Sequence, residues 1–159
     1  MRRLLKFLHT LGAIGLMGAM ACLLVLLAMT PAPAALAEYA RMRGAMGAIA
    51  TWILLPSLAL TLIAGLLSMA ANRSYQNAGW AWVKVLTGVI VFEWGFAGIQ
   101  GPMQAEAELS ARALAGDADV AGLAASVSAE QGSLWVLLAV ATLNVALGVW
   151  RPKLTRLPD

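Results

Sequence analysis

Charge is what this sequence has least of. Of its 159 residues, 12% are charged and 61% are hydrophobic. A soluble domain carries about 25% charged residues. So thin a polar coat excludes a water-solvated globule, and lipid is the expected solvent. A single cysteine, Cys22, excludes an internal disulfide and any cysteine metal cage. Inside an apolar run it reads as a small buried hydrophobe. A single histidine, His9, offers one imidazole per chain. Basic residues are sparse and form no long run. The net charge of +3 sits at the ends of apolar stretches. That pattern speaks for membrane orientation and against nucleic-acid binding. The eight methionines are scattered, with no Met-x-x-Met or His-Met cluster. A soft copper site needs converging ligands, so none is expected. There is no internal repeat and no low-complexity linker. We expect one membrane domain over 1–159.

What is present is four long apolar stretches, at about 4–29, 47–71, 80–99 and 133–150. A helix crosses the hydrocarbon core with about 20 such residues. Strict alternation is missing, and an open strand edge is untenable in lipid, so these are helices. The expected fold is all-α: a four-helix transmembrane bundle with a short extracytoplasmic helical hairpin. The first stretch has a basic start (Arg2, Arg3, Lys6) and an Ala35-Leu36-Ala37 pattern downstream, as a signal peptide would. Its apolar run exceeds the 7–15 residues of a signal core, so it reads as a retained anchor.

Basic residues set the orientation. With the N-terminus in the cytoplasm, Arg2, Arg3, Lys6, Arg73, Arg151, Lys153 and Arg156 lie inside. Arg41, Arg43 and Arg112 lie outside. The balance predicts N-in and C-in in a bacterial inner membrane. The acidic residues Glu38, Glu106, Glu108, Asp117, Asp119 and Glu130 then fall outside. The inner link 72–79 is a tight turn. The outer loop 30–46 opens with Pro31-Ala32-Pro33 and continues as a short helix over 34–43. The outer loop 100–132 reads as two short helices, the second capped by Asp117. Leu109, Leu114, Val120, Leu123 and Val127 would form its apolar face.

Two ionisable groups fall where lipid should be. His9 lies just inside the first span and Lys84 just inside the third. Both spans run inside to outside, so topology brings the two to one layer of the inner leaflet. Such groups are costly in a bilayer and usually face a protein interior or a site. Gly12, Gly15 and Gly18 leave room on the first helix. Ser57, Thr61, Gly65 and Ser68 share one face of the second, which Pro56 should kink. The layer is expected to be a pocket lined by His9, Gly12, Gly65, Ser68 and Lys84. Glu93 is about 13 Å above Lys84 on the opposite face of its helix. It should be neutral, paired with another helix or part of a proton path, with Asn144 as the candidate partner. Most of the tryptophans fall near span ends, as an aromatic belt.

A neutral imidazole between helices suits the iron of haem b, so His9 is the candidate metal ligand. The second ligand could be Lys84, a methionine, water, or His9 of another protomer. Lys84 could instead hold a haem propionate. The competing reading is that His9 bonds Ser68 or a backbone carbonyl while Lys84 snorkels to the headgroups.

The segment Leu4-Leu5-Lys6-Phe7-Leu8-His9-Thr10-Leu11-Gly12-Ala13 resembles the first helix of small bacterial four-helix membrane proteins that read Lys-x-Leu-His-x-Leu-Gly-Ala. Trp80-Ala81-Trp82-Val83-Lys84-Val85-Leu86 resembles the Trp-x-x-x-Lys-x-x-Leu start of their third helix. The group includes a family of predicted integral membrane proteins of unknown function. It is more distantly similar to the membrane domain of the copper-resistance protein CopD and to HemJ-type protoporphyrinogen oxidases. The HemJ likeness implies roles for His9 and Lys84 in haem binding and activity. This chain has Pro31-Ala32-Pro33 where those oxidases carry Pro-Arg-Leu, and it lacks their further histidines. The expected function is therefore a haem-binding or redox-accessory membrane protein. The alternative is a non-catalytic accessory subunit of a larger complex, with a porphyrinogen oxidase third. The lipid bilayer and a homodimer or larger membrane complex are the expected partners.

Overall fold

The computed structural model describes residues 2–150. The chain folds as an all-α bundle of four long helices. Helix α1 is Arg2–Met29, α2 is Leu36–Ala70, α3 is Gly79–Leu114 and α4 is Val127–Trp150. The helices are long and apolar enough to cross a membrane, as in a multi-pass membrane protein. Around the bundle each touches the next, α1 to α2 to α3 to α4 and back to α1. Between α2 and α3 lies one helical turn, Arg73–Gln76, capped by the Asn72 side chain, which accepts from Ser74 N at 3.3 Å. This turn and Arg2 mark the proximal end of the bundle. Arg151, Lys153 and Arg156, part of the predicted inner charge cluster, lie outside the described residues.

Two boundaries differ from the sequence reading. The short helix at 34–43 and the span at 47–71 are one helix of 35 residues, and α3 runs on past Ile99 to 36 residues. A bilayer core takes about 20 residues. The surplus of both helices extends at the distal end, where Glu38, Arg41, Glu106, Glu108 and Arg112 occur. Gly47, at the joint between the short helix and the span, serves packing. A Cβ at Gly47 would lie 3.1 Å from the Ala107 side chain, so α2 and α3 approach closely there.

Proline does not end either helix. Ala50–Leu54 and Phe96–Gln100 are π turns, each followed closely by a proline, Pro56 and Pro102. The amide just before each proline makes the wide bond, Leu55 to Ala50 and Gly101 to Phe96. Proline lacks a donor and crowds the carbonyl one turn back. Widening that turn by one residue relieves the crowding without breaking the helix. The two π turns adjoin, and Thr51 Oγ1 there accepts from Gln100 Nε2 at 3.3 Å.

In lipid, apolar burial drives helix association weakly, so close packing and polar contacts must hold the bundle. The core joins Leu16, Met20 and Leu23 of α1 to Leu54 and Leu58 of α2, Ile99 and Met103 of α3, and Leu134 and Leu137 of α4. Exposed tryptophans ring both ends: Trp82 and Trp150 proximally, Trp52, Trp94 and Trp135 distally. Trp94 Nε1 donates to Ser133 Oγ at 3.1 Å. Glu93, beside it, is exposed and makes no hydrogen bond or ion pair among the described residues. Its expected partner, Asn144, instead accepts from Thr87 Oγ1 at 2.8 Å, because both face the α3–α4 seam.

The distal end holds buried charge that no local pattern announced. Arg43 of α2 donates through both terminal nitrogens to Glu130 of α4, at 2.8 and 2.7 Å, with side-chain exposures of 0% and 1%. Ser126 Oγ adds a third bond to that carboxylate at 2.8 Å. Beside it, Tyr39 donates its hydroxyl to Glu106, which also accepts the Ala124 amide at 2.8 Å. Ala124 is held at φ 65°, a left-handed conformation unusual for alanine. Together these bonds strap the α3–α4 connection over the bundle end.

That connection differs from the expected second helix. Asp117 is no N-cap; its amide donates to Arg112 O at 2.9 Å, and Gly116 N donates to Ala113 O at 3.1 Å. This pair is a Schellman closure of α3, and Gly116 takes the required positive φ of 85°. Asp119 instead caps a single 3-10 turn, Val120–Gly122, accepting from Ala121 N at 3.0 Å. Of the expected apolar face, Leu123 is buried against Tyr39 and Ala113, while Leu114 and Val120 are exposed. Gly116→Ala should lower stability by about 1–2 kcal/mol, the cost of a left-handed non-glycine residue. Gly116→Asn should lose less. Thermal unfolding in detergent reads the order of the two variants.

Candidate functional site

The proximal halves of all four helices part around a cavity of about 470 Å³. Small-molecule sites span about 300–1,000 Å³. The gap follows from residues that contribute little side-chain volume. Ala13, Gly65, Gly88, Ala141 and Gly148 line it, one or two from each helix. Leu16, Leu58 and Val91 close it on the distal side. At the proximal edge stand Arg2, Arg3 and Lys6, and Lys84 enters from α3. Among the described residues no carboxylate lines the cavity.

His9 and Lys84 both line this cavity, though 75 positions apart in sequence. His9 Nδ1 lies 2.8 Å from the Thr61 carbonyl oxygen. A carbonyl only accepts, so Nδ1 carries the proton in this bond. In the neutral ring Nε2 then keeps its lone pair. Gly65, one turn along from Thr61, makes the approach possible. A Cβ there would lie 3.3 Å from both Cε1 and Nδ1 of the ring. The Thr61 hydroxyl is engaged elsewhere, donating to Ser57 O at 2.7 Å.

Lys84 reaches across to α4. Its Nζ stands 2.9 Å from where a Cβ would be at Gly148, so the missing side chain there makes space for the ammonium. One turn away, Asn144 lines the wall and fixes the α3–α4 spacing through Thr87. Ser68 lines the cavity too, but its hydroxyl donates to Ala64 O at 2.7 Å rather than to His9.

Gly12 departs from the expected lining. It is buried in the α1–α2 contact, where a Cβ would lie 2.5 Å from Thr61 Oγ1 and 2.8 Å from Ser57 O. It acts one step removed, by letting α1 sit close enough for His9 to reach Thr61. The sequence pattern did not single out Gly148, or Arg2, Arg3 and Lys6 as cavity residues. The basic triplet reads first as an orientation signal, and Gly148 has no motif around it.

Among the described residues no three His, Cys, Asp or Glu side chains gather to hold a bare metal ion. No protein-family model, curated protein or solved structure matches the chain.

Proposed function

We propose that this is a bacterial inner-membrane protein, N-in and C-in, whose proximal cavity binds b-type haem for a redox or redox-accessory role. The supporting observation is the His9–Thr61 bond. It commits Nδ1 to a backbone carbonyl, the outer-shell arrangement common to metal-ligating histidines, and leaves Nε2 as the available donor atom. The residues fit the group in three further respects. The volume is that of a small-molecule site, the lining is mostly apolar, and its charged side chains among the described residues are basic. His9 would hold the iron through its imidazole, and Lys84 would be the cation for a propionate. Bound haem supplies one-electron chemistry. The protein's part is to orient the imidazole through Thr61, exclude water with Leu16, Leu58 and Val91, and neutralise acidic edges with Lys84. Orientation rests on the positive-inside balance, which places the proximal end in the cytoplasm.

A second reading is an accessory subunit of a larger membrane complex, or a homodimer. Glu93 favours it, being an exposed carboxyl within the apolar stretch of α3. The discriminating experiment is a reduced-minus-oxidised spectrum of protein purified in mild detergent from haem-replete cells. The expected result is a Soret and an α band that His9→Ala removes. A colourless, folded protein that co-purifies with a membrane partner favours the second reading.

A further inference from the structure

Glu93 is the only acidic residue within the four apolar stretches. By helical rise it stands about 13 Å above Lys84 and about 10 Å below Gln100 on α3. A glutamate is too short to carry its carboxyl over either distance. Its side chain is exposed on the outward face of α3 and makes no hydrogen bond or ion pair among the described residues. An unpartnered carboxyl in hydrocarbon is costly. The same face carries a second feature. At every fourth position beyond Glu93 stand Ala97, Gly101 and Ala105, all exposed. Among the described residues, the one neighbour that a Cβ at Gly101 would touch is Phe96 O, at 3.5 Å, which belongs to α3 itself. Phe96 flanks one side of this strip and is exposed. Trp94 flanks the other, lying against Gly98 and donating to Ser133 Oγ at 3.1 Å. The result is a strip of low relief between two aromatic rings, with a carboxyl at its proximal end.

We propose that two copies of the chain pair through this strip in the membrane, Glu93 carboxyl against Glu93 carboxyl, about a two-fold axis along the bilayer normal. This rests on the second reading above and names its partner. Two copies inserted alike hold Glu93 at one depth, so a two-fold contact brings the carboxyls together without a matched residue in another protein. A carboxylic acid is both donor and acceptor, so the pair closes two O–H···O bonds, each group donating once and accepting once. The small residues let the two α3 backbones approach, as in close helix pairs in membranes. Within the apolar stretches the cations of this chain, Lys6 and Lys84, both line the proximal cavity. A second copy therefore meets Glu93 with a carboxyl, whereas a different partner would meet it with a lysine or arginine.

The full-length protein in density-matched detergent micelles is followed by sedimentation equilibrium over a range of protein-to-detergent ratios. The wild type should form a reversible dimer. Glu93→Leu should weaken it roughly tenfold, the scale of two interhelical hydrogen bonds. Glu93→Gln should keep the dimer, because an amide also donates and accepts. The same variant would break an ion pair with a basic partner, so it separates the two occupants. Gly101→Leu, which fills the strip and leaves Glu93 in place, should weaken the dimer as Glu93→Leu does. Circular dichroism checks that each variant keeps its helices. In a Cys22→Ser background, oxidation should cross-link Ala105→Cys between copies but not Leu143→Cys, which is exposed on α4. A wild type that is monomeric at every ratio, an equally strong dimer in Glu93→Leu, or cross-linking at position 143 in place of 105 overturns the proposal. Extraction from native membranes then tells the two failures apart. A larger assembly that Glu93→Leu disperses overturns self-pairing and leaves the accessory-subunit reading standing. A monomer in both preparations overturns both.

Discussion

Arg43→Ala should destabilise the protein by about 3–5 kcal/mol, the largest effect of any single substitution away from the cavity. Arg43 and Glu130 are both fully enclosed, and the pair is bidentate. Removing the guanidinium strands a carboxylate in the interior with Ser126 as its remaining side-chain partner. Stranding is what costs, more than the loss of the pair. The double variant Arg43→Met with Glu130→Leu should therefore recover much of the loss, because a well-packed apolar pair can replace a buried ion pair at little penalty. Arg43→Lys should not recover it, since lysine cannot supply two fixed parallel donors. Denaturant unfolding in mixed micelles, followed by far-ultraviolet circular dichroism, gives the cycle. A single substitution as mild as an exposed ion pair, within about 1 kcal/mol, would show that the cluster is open to water and does not strap the distal end.

The second large effect is Gly12→Ala set against Gly18→Ala. A Cβ at Gly12 would meet Thr61 Oγ1 at 2.5 Å, Ser57 O at 2.8 Å and Thr61 N at 2.9 Å. Two of those are backbone atoms and cannot turn aside. The helices must separate, at about 1–3 kcal/mol for overpacking. Separation also pulls His9 from Thr61, so ligand binding should fall with stability. A Cβ at Gly18 meets nothing within 4 Å. There alanine should gain up to about 1 kcal/mol from helix propensity alone. The same unfolding measurement reads both. Equal behaviour of the two variants would mean that α1 and α2 do not pack as tightly as the structure has them.

Much of the architecture is legible in the sequence because helices in lipid are written locally. Apolar runs of sufficient length, one basic start and a short polar turn predict four helices and the pairing of α2 with α3. The shared layer of His9 and Lys84 follows from topology alone, and both side chains line one cavity. The face Ser57–Thr61–Gly65 is legible from helical spacing, and it meets α1 at Gly12, Gly15 and His9. Helix continuity is not legible. The sequence reading separates a short helix at 34–43 from the span at 47–71 and ends the third span at 99, yet packing between α2 and α3 and two π turns carry both helices through. The distal strap is not legible either. Arg43 and Glu130 are 87 residues apart, and each reads as an ordinary solvated charge in an outer loop. Nothing in local periodicity distinguishes a charge that will be buried by a distant partner from one that stays in water. Glu93 shows the converse. Its place in an apolar run predicts an internal partner, but its helix face turns outward.

The central claim is that His9, oriented by Thr61, presents Nε2 to a ligand in the proximal cavity. Imidazole rescue tests it most directly. His9→Ala protein is purified in mild detergent, mixed with haem, and its reduced spectrum recorded with and without added imidazole, beside the wild type. The account predicts bands in the wild type, their absence in the variant, and their return when imidazole fills the space left by the side chain. Bands that persist in His9→Ala without imidazole, or a folded wild-type protein that takes up no haem, would contradict it.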